Sequence, residues 1–173
     1  MNKRRFYGVF LVVGLVAGFQ PAAAAPTGGR VRLVERAPDP YGLPRPARDA
    51  RDVPLRTSLY FELEVVPAST NDPILPESVA VQLSEREGTP RFLVQTGRQF
   101  VAGCSGWLRP RRATGGLGAA LETLAVYVEP GQALKPGTTY TVRVAAMSRS
   151  GLSLAGPAGA WRFTTESEPV VRT

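Results

Sequence analysis

Histidine is absent from this chain of 173 residues, and cysteine occurs once, at Cys104. Without histidine there is no His-based catalytic dyad or triad, and the commonest metal ligand is gone. A single cysteine forms neither an internal disulfide nor a multi-cysteine zinc site. Lysine is nearly missing as well. A Ser–Lys dyad would have to use Lys135, which sits beside the turn proline Pro136 and is expected to face solvent. The aspartates, Asp39, Asp49, Asp52 and Asp72, have no EF-hand spacing, whereas calcium needs six or more oxygen ligands. The composition therefore predicts no metal, no cofactor and no enzyme activity. What is abundant is glycine and proline, 18 and 16 residues. That is about a fifth of the chain, short of the roughly 25–30% at which a non-repeating sequence is better described as disordered. A loop-rich single domain is expected.

The N-terminus reads as an export signal. Lys3, Arg4 and Arg5 precede an apolar stretch at residues 6–19, and Pro21 to Ala25 supplies small residues with an A-x-A pattern. The stretch is too short for a comfortable span, since a membrane-crossing helix needs about 20 apolar residues. Cleavage after Ala24 fits best, because cutting after Ala25 would place Pro26 on the scissile bond. Residues 1–24 are thus expected to be a cleaved signal peptide, residues 25–166 a domain, and residues 167–173 a C-terminal tail. Without the three N-terminal cations, 18 basic residues remain against 14 acidic ones, and the net charge falls from +7 to +4. Nucleic acid is a poor partner for an exported chain of that charge. No cysteine stands at the cleavage site to carry a lipid, and no membrane span is expected after processing. The expected location is periplasmic or extracellular.

Past the signal, alternating and β-branched runs recur between turn residues, and no segment repeats at helical spacing. Residues 57–66 are the clearest strand, with Leu59, Phe61, Leu63 and Val65 on one face and Tyr60, Glu62 and Glu64 on the other. Further strands are expected at 30–35, 78–84, 91–95, 99–102, 124–128, 138–146 and 160–165. About seven short strands punctuated by Pro/Gly turns predict an all-β sandwich of the Ig-like Greek-key type. Residues 37–54 carry five prolines and read as a crossing that stays out of any sheet. Residues 102–120 read as an inserted Gly/Arg-rich loop.

Pro136-Gly137 makes a tight turn, and Tyr140 lies just inside the following strand, where its ring can enter the core while its hydroxyl bonds an upstream backbone group. That is the pattern of a tyrosine corner. Four segments in order, Asp52-Val53-Pro54-Leu55, the turn and strand at 134–142, the Gly151 to Gly156 loop and Trp161-Arg162-Phe163-Thr164-Thr165, resemble the bacterial Ig-like domain family of S-layer proteins, the SbsA type. The resemblance covers residues 31–166 and implies a non-catalytic module of envelope or secreted proteins, used for protein binding, adhesion or spacing. Family members often carry an Asp and a Gly-Asn before the last strand, where this chain has Ser148-Arg149-Ser150-Gly151-Leu152, so any cation or turn-stabilising role of that Asp is not expected to carry over.

Four residues of the 102–120 segment, Trp107, Arg109, Arg111 and Arg112, form the candidate interaction loop: an aromatic platform beside guanidinium groups that suit phosphates, carboxylated sugars or an anionic protein. Trp107 covering the end of the sandwich, with its arginines in water, is the plain alternative. The expected partner is an envelope protein or an anionic glycan, and a carbohydrate-binding module using Trp107 and Tyr41 as stacking platforms is the alternative function. Cys104 has no histidine to act as its base, which leaves a buried thiol or an intermolecular disulfide. Glu62 and Glu64 could in principle pair for glycoside hydrolysis, but glutamates on the solvated polar face of a half-exposed strand need no such purpose, and the solvated-face reading is the one expected. N-terminal sequencing of the exported protein is expected to begin at Ala25; a chain still starting at Met1 would contradict the export reading.

Overall fold

The computed structural model describes residues 29–37, 42–67, 72–85, 88–114 and 120–167, so the signal peptide, Tyr41 and nearly all of the tail lie outside the described residues. Eleven strands follow one another there: β1 (Arg30–Leu33), β2 (Ala50–Val53), β3 (Leu59–Val66), β4 (Ala80–Glu85), β5 (Arg91–Gln95), β6 (Gln99–Phe100), β7 (Ser105–Thr114), β8 (Ala120–Glu129), β9 (Thr139–Met147), β10 (Ser153–Leu154) and β11 (Ala160–Thr165). One sheet has the order β1-β3-β8-β7 and the other β2-β11-β9-β4-β5-β6, with β10 paired to β9. In immunoglobulin lettering, β1, β3, β8 and β7 hold the A, B, E and D positions, and β4, β9 and β11 hold C, F and G. The protein is an all-β, Ig-like sandwich whose seven framework strands carry four short additions.

Alternation builds the core. Leu59, Phe61 and Leu63 of β3 are fully buried, as are Val126 and Val128 of β8, Val81 of β4, Val142 of β9 and Phe163 of β11. Phe61 meets Trp161 edge to face at 5.6 Å, joining the two sheets, and Tyr140 stacks on Phe163 at 5.8 Å within one of them. Strand β5 breaks the period, because Leu93 and Val94 are both buried. The register explains it: Val81 pairs with Val94 and Gln82 with Phe92, leaving Leu93 as the additional residue of a β-bulge.

Two expectations from the sequence are corrected. The proline-rich segment does reach a sheet, since residues 50–53 form β2, parallel to β11 with Ala50 opposite Phe163. The four residues contain no proline and lie at the sheet edge, where flanking Pro46 and Pro54 remove no ladder bond. Residues 102–120 are not an inserted loop, because β7 occupies ten of them and pairs along its whole length with β8. Gly103, Gly106, Pro110 and the arginines gave the stretch the look of a loop. An edge strand tolerates proline where the missing N–H falls on its unpaired side.

The turn before β9 is closed by Tyr140, whose hydroxyl oxygen accepts the Lys135 N–H at 2.9 Å. Gly137 follows Pro136 at φ +58, a left-handed conformation that costs glycine nothing. Buried Thr165 fastens the same turn to β11, its hydroxyl donating to the Lys135 carbonyl at 2.6 Å and accepting the Thr138 N–H at 2.9 Å. The Ser148 to Gly151 turn finds its carboxylate in Asp72, from the distant loop before β4. Asp72 accepts the Ser150 N–H at 2.7 Å and the hydroxyls of Ser150 and Ser148 at 2.6 and 2.9 Å. Those bonds, the Ser150 hydroxyl first, hold its carboxyl below the usual aspartate range. Removing only the phenolic oxygen with Tyr140→Phe leaves the Lys135 N–H unpaired and is expected to cost about 1–3 kcal/mol of stability in urea unfolding; an unchanged midpoint would contradict the corner's role.

Candidate functional site

Trp107, Arg109 and Arg111 alternate along β7 with Leu108, Pro110 and Arg112, so the first three project from the outer face of the four-stranded sheet. Leu108 packs against the core instead, and Arg112 lies on the core-facing side, exposed. Three of the four residues expected to form a contact loop therefore share one strand face, and Arg112 does not join them. Tyr140, Pro136 and Gly137 belong to the other sheet's turn and take no part in this face. Cys104 precedes β7 as a free, half-buried thiol packed against the core.

The register lines up Tyr60 of β3, Tyr127 of β8 and Trp107 of β7 in one row across three strands. Trp107 stacks on Tyr127 at 5.7 Å with 19° between the ring planes, and meets Tyr60 edge to face at 6.1 Å. A glycine makes the approach possible: Gly106 has φ +150, and a Cβ there would collide with the Tyr127 carbonyl. Cationic arms lie over the rings. The Arg109 guanidinium carbon is 5.2 Å from the Trp107 ring centre, and that of Arg45 is 6.0 Å from Tyr60.

Beside the row, Glu62 is only 2% exposed. It is not on a solvated face, as its alternation with Tyr60 and Glu64 suggested, because other side chains cover it. Arg36 donates to Glu62 at 3.1 Å, Arg111 at 3.0 Å and the Tyr60 hydroxyl at 2.8 Å, while Arg111 also donates to the Tyr60 oxygen at 2.9 Å. Arg111 reaches across β8, where the small residue Ala125 stands between Glu62 and Arg109 in register. With Glu62 committed to these bonds and Glu64 paired to Arg32 at 2.7 Å, the two carboxylates do not form a catalytic pair. Burial, then the bond to Glu62, raises the Tyr60 phenol above its ordinary value, and the Tyr60 and Glu62 contacts raise the Arg111 guanidinium.

Along one side of the row a cleft of about 680 Å³ opens beside Tyr127, lined among others by Arg56, Ser58, Ser105, Glu129 and Gln132. Tyr127 donates to Glu129 through a short hydrogen bond, and Ser105 donates to its other oxygen at 3.0 Å. The bond to Glu129 raises the Tyr127 phenol, and the same two donors, Tyr127 first, lower the Glu129 carboxyl. Tyr60, Tyr127, Arg36, Arg45 and buried Glu62 are members of this face that sequence reasoning did not assemble. Large rings at Tyr60 and Tyr127 on the polar sides of their strands were the available signal.

The chain matches no family model and no curated protein. Among solved structures it is similar to one described as "Structure of Astrotactin-2, a conserved vertebrate-specific and perforin-like membrane protein involved in neuronal development", at 12% identity and a TM-score of 0.35. That likeness covers 80% of this chain and 22% of the other, and carries no argument about function.

The Tyr60 titration reports on the network. Its raised phenol value means that the folded protein holds that proton more firmly, so this contribution to stability is complete below the ordinary tyrosine value of about 10 and is lost as pH rises through the folded one. Absorbance titration at alkaline pH is expected to show a late-titrating tyrosine that shifts back toward its ordinary value in Glu62→Gln. An unchanged profile would contradict the assigned bond.

Proposed function

We propose that the protein is an exported, non-catalytic Ig-like module of the cell envelope that holds an anionic partner on the outer face of the β1-β3-β8-β7 sheet, serving protein interaction, adhesion or spacing. The observation that carries this reading is vertical charge segregation. Glu62 and Glu64 are 2% and 19% exposed in their side chains, whereas Arg36, Arg32 and Arg111 above them are 48–58% exposed. A molecule approaching the face over Glu62 and Glu64 meets guanidinium groups and half-exposed rings before it meets either carboxylate, while Glu129 stands exposed on the cleft side of the rings. Arginine suits this use, since its planar fork pairs with carboxylate or phosphate through two bonds and stacks on aromatic rings. The signal-like N-terminus and the resemblance of residues 31–166 to S-layer Ig-like domains support the exported, non-catalytic part of the reading. A sandwich scaffold hosts many functions, so the reading rests on the face rather than on the fold.

A carbohydrate-binding role is the second reading, favoured by three rings in one row on one sheet. Co-sedimentation with envelope fragments from the source cells tests the main reading. Wild-type protein is expected to be retained at low salt and released at high salt, with Trp107→Ala and Arg109→Gln retained less. Equal retention of wild type and both variants would sink it.

A further inference from the structure

The rings and guanidinium groups are interleaved rather than segregated, which narrows the partner's chemistry. Trp107 stands on the edge strand, so among the described residues no further strand lies beside the indole on the side away from Tyr127. Arg109, the cation on that ring, makes no salt bridge among the described residues, unlike Arg32, Arg36 and Arg111. Five arginines on or bordering the face, Arg32, Arg36, Arg45, Arg109 and Arg111, outnumber the carboxylates Glu62, Glu64 and Glu129. Although their strands flank β8 on either side, the Tyr60 and Trp107 ring centres are only 6.1 Å apart, and Tyr127 is 5.7 Å from Trp107, so the three rings form a compact aromatic cluster on the scale of one sugar ring.

We infer that the ligand of this face is a carboxylated polysaccharide, a chain of uronate-type sugars, setting one pyranose ring against the Tyr60–Tyr127–Trp107 cluster with its carboxylate paired to Arg109. The inference rests on the reading of this face as an anion-binding one and names its partner. An acidic peptide would satisfy the arginines but leave the rings without a stacking partner. A neutral glycan would use the rings and leave Arg109 unpaired. A uronate residue carries ring and carboxylate together, as Trp107 and Arg109 do, and the fork of Arg109 is free to bind it through two parallel N–H···O bonds. The carboxylate of Glu129 flanks the rings on the cleft side, so the ligand's carboxylate is directed to the opposite side, where Arg109 and then Arg111 follow Trp107 along β7.

Titration of the full chain with polygalacturonate, its fully methyl-esterified form and polyglutamate tests the assignment, with tryptophan fluorescence as readout. Trp107 is half-exposed and Trp161 is 3% exposed, so a ligand-induced change reports on Trp107. Polygalacturonate is expected to bind with salt-sensitive affinity, and the ester and polyglutamate to bind at least about ten-fold more weakly. Trp107→Ala and Arg109→Gln are each expected to weaken polygalacturonate about ten-fold, while Trp107→Phe retains much of the binding. The exposed Arg109 is replaceable without touching the core, so its variant reads binding even where Trp107→Ala folds poorly. Equal affinity for the ester or for polyglutamate would overturn the proposal, as would absence of polygalacturonate binding in a protein whose envelope retention still depends on Trp107. Retention that ignores Trp107 and Arg109 would instead overturn the anion-binding reading beneath it.

Discussion

Period-two alternation along β3 holds this molecule together and equips its surface at the same time. Leu59, Phe61 and Leu63 point into the sandwich, while Tyr60, Glu62 and Glu64 point out of it. A slip of one residue would exchange the two sets, exposing Phe61 and burying a carboxylate in the core. Burying a large aromatic side chain contributes on the order of 1.5–3 kcal/mol, whereas an unpaired buried charge costs several. The core therefore fixes the register, and the register fixes which side chains share the outer face. Pairing carries that choice onward: Tyr127 is opposite Tyr60, and Trp107 is opposite Tyr127.

Much of the fold could be read from the residues because the framework strands obey that alternation. Leu59 to Val65, Tyr140 to Val144 and Trp161 to Phe163 are inward-facing series in the structure and in the sequence pattern. Strand β7 was hidden for a physical reason. It sits at a sheet edge with Leu108 packed against the core, so its cations and proline meet no penalty and leave no alternating signature. Strand β2 was hidden by the prolines on either side of it. The double burial of Leu93 and Val94 comes from a bulge, which is a property of pairing and has no local sequence mark.

The candidate site was legible only in part. Trp107, Arg109 and Arg111 stood out as an aromatic among cations, but their partners come from β3, β8 and the stretch between β1 and β2. Glu62 illustrates the limit. From alternation it belongs on a wet face, yet two arginines and a tyrosine from separate parts of the chain close over it. Their charge-assisted bonds offset the cost of burying the carboxylate, and because the arginines remain half-exposed they keep one side of their charge in water. The result, around Glu62 and Glu64, is a surface whose negative groups lie low and whose positive groups lie high. Asp72 and Thr165 likewise stabilise turns far from themselves in sequence, by contacts that only the folded topology creates.

A double-mutant cycle across the outer face tests the register directly. Glu62→Gln is combined with Arg111→Ala and, as the opposite-parity control, with Arg112→Ala, and stability is measured by urea unfolding. The account predicts a coupling of at least about 0.5 kcal/mol between Glu62 and Arg111, and none beyond error between Glu62 and Arg112. Coupling to Arg112 with none to Arg111 would place β7 in the opposite face assignment and contradict the account.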